Sequence, residues 1–181
     1  MVVYDFPWPH AVIDDLVDLE FQDRLSLFAD RAQQRGDFGL WHFDHGQFTP
    51  EIQALYFAYR ERLDRLLPHI LNCFPHRRDH ERLQFTSHLA VQPADYVYRP
   101  HCDHPDKIIS IIGYIAPKHS RGTCLHTTQE SSPSIVIDWR PGRALIFAGR
   151  DDVTWHSYGS GADYRATLCS FFIRPGQDPS R

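Results

Sequence analysis

The feature that most constrains this chain is a change of hydrophobic period near residue 83. From Leu83 onward, apolar residues fall in short runs separated by Pro, Gly, Asp and Ser. Candidate strands cover 84–92, 96–101, 108–116, 123–127, 135–138, 144–147, 153–157 and 165–173. The breaks fall at 93–95, 104–106, 117–122, 131–133, 140–142, 149–151 and 159–161. None of these gaps can hold the helix that a parallel crossover needs, so the strands must pair antiparallel. Eight short strands at this spacing predict a sandwich or jelly roll.

The front of the chain reads differently. Residues 11–13 predict a short strand. A helix follows over 16–34, capped by Asp14 or Asp15 and ended by Gly36. Its apolar positions Leu16, Leu19, Leu25, Leu27 and Phe28 roughly follow a helical period. A second helix over 49–73 has Thr49 as N-cap, Pro50 at the first helical position and Glu51 at the positive end. Ile52, Leu55, Tyr56, Tyr59, Leu63, Leu66, Leu67 and Ile70 fall on one face of it. The predicted fold is therefore mainly β with flanking helices (α+β). It is a double-stranded β-helix, or jelly roll, whose N-terminal helices pack on one sheet. Nothing in the composition marks a linker, so residues 1–181 read as one domain, with a helical front at 1–82 and a core at 83–174.

Composition narrows the partners. A formal charge of -4 and a pI near 6.3 supply no basic field for a phosphate backbone, so no nucleic-acid partner is expected. Cys73, Cys102, Cys124 and Cys169 show no zinc-like or redox-like pairing and read as reduced thiols. The first residues lack a basic leader, and no apolar run reaches the length of a membrane span. The expected location is cytoplasmic, away from membranes.

Twelve histidines make any single one uninformative, so only constellations count. The segment Tyr98-Arg-Pro-His101-Cys-Asp103-His104-Pro-Asp106 contains one. A histidine and a carboxylate two apart on a strand share a face. A second histidine from a distant strand completes the two-histidine, one-carboxylate set that holds iron(II) and leaves positions open. His156, in Thr154-Trp-His156-Ser, is placed near the end of the seventh candidate strand. His104-Pro-Asp106 has the same spacing, so spacing alone cannot choose the register. His101 and Asp103 are favoured because they continue the extended run 96–98, whereas Pro105 marks a strand end. On the last strand, alternation puts Arg165, Thr167 and Cys169 on one face, where a guanidinium and a hydroxyl can project toward the metal. A buried arginine calls for an anion, and its planar fork suits a carboxylate. Trp155, Trp41 and the histidines of 41–45 read as packing and loop residues rather than as a cleft lining.

These motifs resemble the iron(II)/2-oxoglutarate-dependent oxygenases, particularly their prolyl-hydroxylase-like branch. The resemblance runs through Pro7-Trp-Pro-His-Ala-Val-Ile-Asp-Asp15, then Tyr98-Arg-Pro-His101-Cys-Asp103-His-Pro105. It continues through Lys107-Ile-Ile-Ser-Ile-Ile-Gly-Tyr114, Gly122-Thr-Cys-Leu125, His156 and Arg165. It implies that His101, Asp103 and His156 bind Fe(II), which 2-oxoglutarate chelates. It further implies that Arg165 pairs with the far carboxylate and that the Tyr114 phenol assists. Tyr98 matches a tyrosine just before the metal histidine, and Thr167 a small hydroxyl residue after the anchor. The implied reaction consumes O2, releases succinate and CO2, and uses ascorbate as an accessory reductant. Retention of Asp103 implies hydroxylation, or a related desaturation or ring closure, and argues against halogenation. The implied substrate is a small molecule or an amino-acid or peptidyl side chain. Two other readings compete. A cupin-like metal protein without 2-oxoglutarate leaves Arg165 unexplained, and cupins usually carry a His-x-His followed by Glu that this chain lacks. A non-catalytic binding module on the same fold would be favoured by a lost triad residue, and none is lost.

Overall fold

The computed structural model describes residues 1–75, 83–161 and 163–176. Two antiparallel sheets face each other. The larger one has seven strands in the order β1 (Val2–Tyr4), β2 (His10–Ile13), β9 (Ala144–Ala148), β6 (Lys107–Ala116), β11 (Tyr164–Ile173), β4 (Gln84–Pro93) and β3 (Gly39–His42). The smaller has four, in the order β5 (Val97–His101), β10 (His156–Gly159), β7 (Thr123–Leu125) and β8 (Ile135–Ile137). The expected jelly roll is present, with all eight strands of the second half in place. From β4 to β11 the chain passes from one sheet to the other at every step except β7 to β8, which is why most neighbours in space are distant in sequence.

The central strands are buried on both faces. On β6, Ile109, Ile111 and Ile115 turn outward into a core shared with the helices, while Ile112 and Tyr114 turn toward the opposite sheet. That two-sided burial makes β6 read as an almost continuous apolar run. The outer face of the seven-stranded sheet is covered by α1 (Leu19–Arg35) and α2 (Pro50–Cys73), with α1 lying over β4, β6 and β11. Helix α2 starts as expected: Thr49 Oγ1 accepts from the Ile52 N–H, and Pro50 occupies the first turn. Ile52, Tyr56, Tyr59, Leu63 and Ile70 are buried.

Helix α1 departs from expectation at its start. Asp18, not Asp14 or Asp15, caps it, with its side chain accepting from the Glu20 N–H. Asp15 sits in the left-handed region (φ 57°), and the Leu16 N–H donates to Gly142 O, so the chain is still turning there. Gly36 ends the helix at φ 72°, as expected. The buried stripe is Phe21, Leu25, Ala29 and Ala32, whereas Leu19 and Leu27 face solvent. Strands β1 and β3 were not anticipated. Both are edge strands, and β1 has no buried residue to impose a period. The seventh candidate strand is displaced toward the C-terminus. Thr154 Oγ1 both accepts from the Arg150 N–H and donates to its carbonyl, so a turn occupies 150–154 and His156 opens β10 instead of closing it.

Between the sheets, one end is filled by Trp8, Tyr114, Leu125, Ile137, Leu145 and Phe147. The rest is a cleft of about 690 Å³. The glycine of Gly122-Thr-Cys-Leu125 is needed for this approach, because a Cβ there would collide with the Ile137 carbonyl. The exposure contrast on α1 sets a stability test. Leu25→Ala should cost about 2–5 kcal/mol. Leu27→Ala should stay within about 0.5 kcal/mol of the parent. Urea unfolding of the two variants measures both.

Candidate metal centre

The strand pairing explains why His101 and His156 meet. β5 and β10 are antiparallel neighbours, and the two histidines are direct cross-strand partners with ring centroids 4.2 Å apart. Asp103 lies just past the end of β5. One ligand atom from each of His101, Asp103 and His156 lies within 4.8 Å of the other two. The protonation of both rings follows from their contacts. His101 Nδ1 lies 3.0 Å from Arg99 O, and His156 Nδ1 lies 2.9 Å from Thr154 O. A carbonyl can only accept, so each Nδ1 carries a proton and Nε2 is the nitrogen that each ring can offer a metal. This is the support expected for metal-binding imidazoles.

Asp103 is anchored from the facing sheet. Ser110 Oγ, on β6, donates to its Oδ2 at 2.5 Å, and Lys107 Nζ lies 3.4 Å from Oδ1. Burial pushes its pKa up, but the charges of His156 and Lys107 and the Ser110 hydrogen bond outweigh that and hold it below the usual range. Burial, followed by repulsion from His156, lowers His101 to about 4. The set is therefore a carboxylate with a neutral imidazole at His101, a donor arrangement suited to a divalent transition metal.

The second His-x-Asp is committed elsewhere. Asp106 Oδ1 accepts from Arg174 Nη1 at 3.2 Å, and Oδ2 lies 3.4 Å from His104 Nδ1. Among the described residues, His101, Asp103 and His156 are the one group gathered with metal-ligand geometry.

The anchor candidates lie deeper. Arg165 is only 1% exposed. Its guanidinium donates to Arg121 O and Thr123 Oγ1, and its Nε has no partner. The surrounding rings are Tyr158 at 4.7 Å, Trp139 at 4.8 Å and Tyr114 at 5.3 Å. Burial lowers its pKa, and no carboxylate pairs with it among the described residues. Tyr114 donates to Thr123 Oγ1 at 2.8 Å and is also fully buried. Thr167 shares the Arg165 face, with its hydroxyl 3.5 Å from Cys169 Sγ. Tyr98 is the exception: 40% exposed, it lies edge-on to His101 and lines the cleft.

The cleft brings together the metal group, Tyr98, Lys107, His42, His88, Ile112, Cys169, Gln92 and Tyr158, but its walls do not include Arg165, Tyr114 or Thr167. Arg165 thus does not reach the metal's cavity as expected; the ring of Tyr158, which lines the cleft, lies 4.7 Å from its guanidinium carbon. Tyr158 and Gln92 escaped sequence reasoning; the candidate strand stopped at 157, whereas β10 runs to Gly159 and its alternation puts Tyr158 on the face of His156. His42, on β3, lines the cleft, while Trp41 packs on Phe28 and Trp155 lies outside the lining. Burial, with repulsion from His42 and Lys107, lowers His88 to about 4.

Comparison with solved structures places the fold. A Pseudomonas putida prolyl-4-hydroxylase superposes with a TM-score of 0.66 at 17% identity, over 92% of this chain and 93% of that one. A Trichoplax adhaerens prolyl hydroxylase, solved with a hypoxia-inducible-factor peptide, gives 0.62 at 12% identity over 91% and 83%. A viral collagen prolyl hydroxylase from Paramecium bursaria Chlorella virus-1, in its 2-oxoglutarate complex, gives 0.59 at 12% identity over 90% and 94%. The chain has the fold of these hydroxylases. No protein-family model matches it, and no curated protein matches its sequence.

Two measurements test this geometry. Asp103→Ala should abolish stoichiometric binding of Fe(II), titrated anaerobically by calorimetry, while Asp106→Ala should retain it. The reverse result would move the ligand set to His104 and Asp106. The second concerns pH. A histidine held near 4 in the fold but 6.5 when unfolded leaves the unfolded chain binding more protons, so stability falls as pH drops below about 6.5. His88 should contribute about 2 kcal/mol to the loss between pH 7 and pH 5. His88→Leu should lose that much less in urea unfolding across the same interval.

Proposed function

We propose that the chain is an Fe(II)- and 2-oxoglutarate-dependent dioxygenase that hydroxylates an unactivated C–H bond. The observation that carries this reading is the metal group: two imidazoles with free Nε2 atoms and one carboxylate, at the wall of a cleft large enough for a small ligand. The donor set suits iron(II). A buried guanidinium with no carboxylate partner among the described residues suits the far carboxylate of a dianionic co-substrate. Bound iron(II) would supply the oxidation, with one O2 atom leaving in succinate as 2-oxoglutarate loses CO2 and the other entering the substrate.

The protein's own residues divide the remaining work. His101, Asp103 and His156 hold the metal, and Ser110 fixes the carboxylate that Lys107 also faces. Arg165 binds the distal carboxylate, supported by Tyr114 and Thr123, and Thr167 borders the anchor. Tyr98 packs against His101 and shapes the mouth with Phe38 and Leu40, which are 40% and 53% exposed. The substrate is a small molecule or an amino-acid or peptidyl side chain, and ascorbate serves as an accessory reductant. Residues 1–181 act as one oxygenase domain. Four free cysteines suit a cytoplasmic setting, and among the described residues no helix is long and apolar enough to cross a membrane.

Succinate release with Fe(II), ascorbate and an amino-acid and peptide panel tests the reading; no 2-oxoglutarate consumption under any condition would refute it. Arg165→Ala should leave Fe(II) affinity nearly intact and raise the apparent KM for 2-oxoglutarate by the equivalent of roughly 2–5 kcal/mol. The other arginines that might substitute are occupied, Arg143 by Asp14 and Arg174 by Asp106. An unchanged KM would therefore remove the co-substrate assignment.

A further inference from the structure

We propose that Tyr158, latched by Gln92, is the positioning residue that decides whether the distal carboxylate of a 2-oxo acid reaches Arg165. The inference rests on the co-substrate reading above and adds to it. Arg165 has the charge for the task but not the access. Tyr158 lines the cleft, its ring lies 4.7 Å from the guanidinium carbon, and Arg165 is buried behind it. With the ring there, a cation–π contact occupies the guanidinium where an anion would sit.

The ring is held by one hydrogen bond. Gln92 Nε2 donates to Tyr158 Oη at 2.7 Å. Gln92 and Arg165 are direct partners in the β4–β11 register. Their side chains each leave one buried atom unpaired: Gln92 Oε1, an acceptor, and Arg165 Nε, a donor. Buried polar atoms are normally paired, so two complementary orphans on facing residues call for an explanation. If Tyr158 swings away, Gln92 is released and its Oε1 can accept from Arg165 Nε–H. Both orphans are then satisfied, and the face of the guanidinium that the ring covered is open to an anion. Tyr98, stacked on Tyr158 at 5.3 Å and exposed at the mouth, can move outward with the ring. The latched form therefore stores a polar mismatch that opening relieves.

Tyr158 also selects the length of the acid. Swung aside, its ring still borders the path to Arg165, so a smaller residue widens that path and leaves room for one more methylene to bow outward.

The experiment titrates 2-oxoglutarate and 2-oxoadipate into Mn(II)-loaded protein, which cannot turn over, by calorimetry and stopped-flow tryptophan fluorescence. Tyr158→Ala should associate with 2-oxoglutarate at least tenfold faster than the parent. It should also narrow the preference for 2-oxoglutarate over 2-oxoadipate at least fivefold. Tyr158→Phe keeps the ring but loses the latch, and should associate roughly fivefold faster while preserving the length preference. This conservative variant decides the matter if the alanine variant misfolds. Mn(II) affinity should stay within twofold throughout, and adding Arg165→Met should cancel the gains. Equal association rates in the parent, Tyr158→Phe and Tyr158→Ala, with binding still lost on Arg165→Met, overturn the gate but leave the co-substrate reading standing. Absence of 2-oxoglutarate binding in the parent and in every Tyr158 variant overturns both.

Discussion

The pairing of β5 with β10 is the contact on which the site depends. It puts His101 and His156 opposite one another, and the backbone then fixes the rings as well as the strands. Each Nδ1–H donates to a carbonyl two residues earlier in its own chain segment, so neither imidazole needs a distant carboxylate to set its tautomer. The third member comes from the same segment as His101 but is held by Ser110 on the opposite sheet. The carboxylate therefore ties the two layers together at the place where the gap between them stays open. A site with these supports is organised before any ion arrives, which lowers the reorganisation that binding requires.

The two unequal cores explain why there is a cleft at all. The helices cover the outer face of the large sheet over its central strands, but the inner gap is packed only at one end. There Trp8 lies against Phe147 and donates its indole N–H to His126 O, while Phe147 touches the His156 ring at 5.0 Å. This plug keeps water from the back of the metal group. Arg165 sits beside it, sandwiched among rings and neutral acceptors. Burying a guanidinium without a carboxylate is unfavourable for folding. The position is understandable if stability is not what the residue serves.

Much of the architecture was legible because it rests on period and turn chemistry. The eight strands of the second half alternate apolar runs with Pro and Gly breaks, and Thr49-Pro50-Glu51 announces α2. The misreadings share a cause: a side-chain or tertiary contact overrode the local pattern. Thr154 clasps Arg150 and delays β10; Leu16 binds Gly142 and delays α1; β1 and β3 exist because a sheet edge accepts them. The sequence spacing anticipated that His101, Asp103 and His156 could gather, although Asp103 lies just past β5 and not on the strand face that the spacing argument assumed. Tyr158 and Gln92 were not legible, since their importance lies in a hydrogen bond between strands 66 residues apart, which no local pattern encodes.

What separates the functional candidates from their look-alikes is pairing. His-x-Asp occurs twice within six residues, and arginines near the end of the chain are several, so neither spacing nor residue type can choose among them. The structure sorts them by what they already hold. Asp106 is saturated by Arg174 and His104, and Asp14 by Arg143 and Arg140. These exposed or half-exposed pairs have spent their charges on each other. Asp103 faces the two imidazoles of its group, a lysine at 3.4 Å, whose ammonium also lies 4.2 Å over the Phe171 ring, and a hydroxyl on its other oxygen. Arg165 faces rings and neutral oxygens. Both charges are largely withdrawn from water and neither has a full counter-ion, a condition that costs stability unless something else supplies the missing charge. On the proposed function, a divalent cation would supply it for the carboxylate and a dianionic acid for the guanidinium. The same ligand pair would satisfy both deficits only if the acid spans the distance between them, along a path that the Tyr158 ring borders.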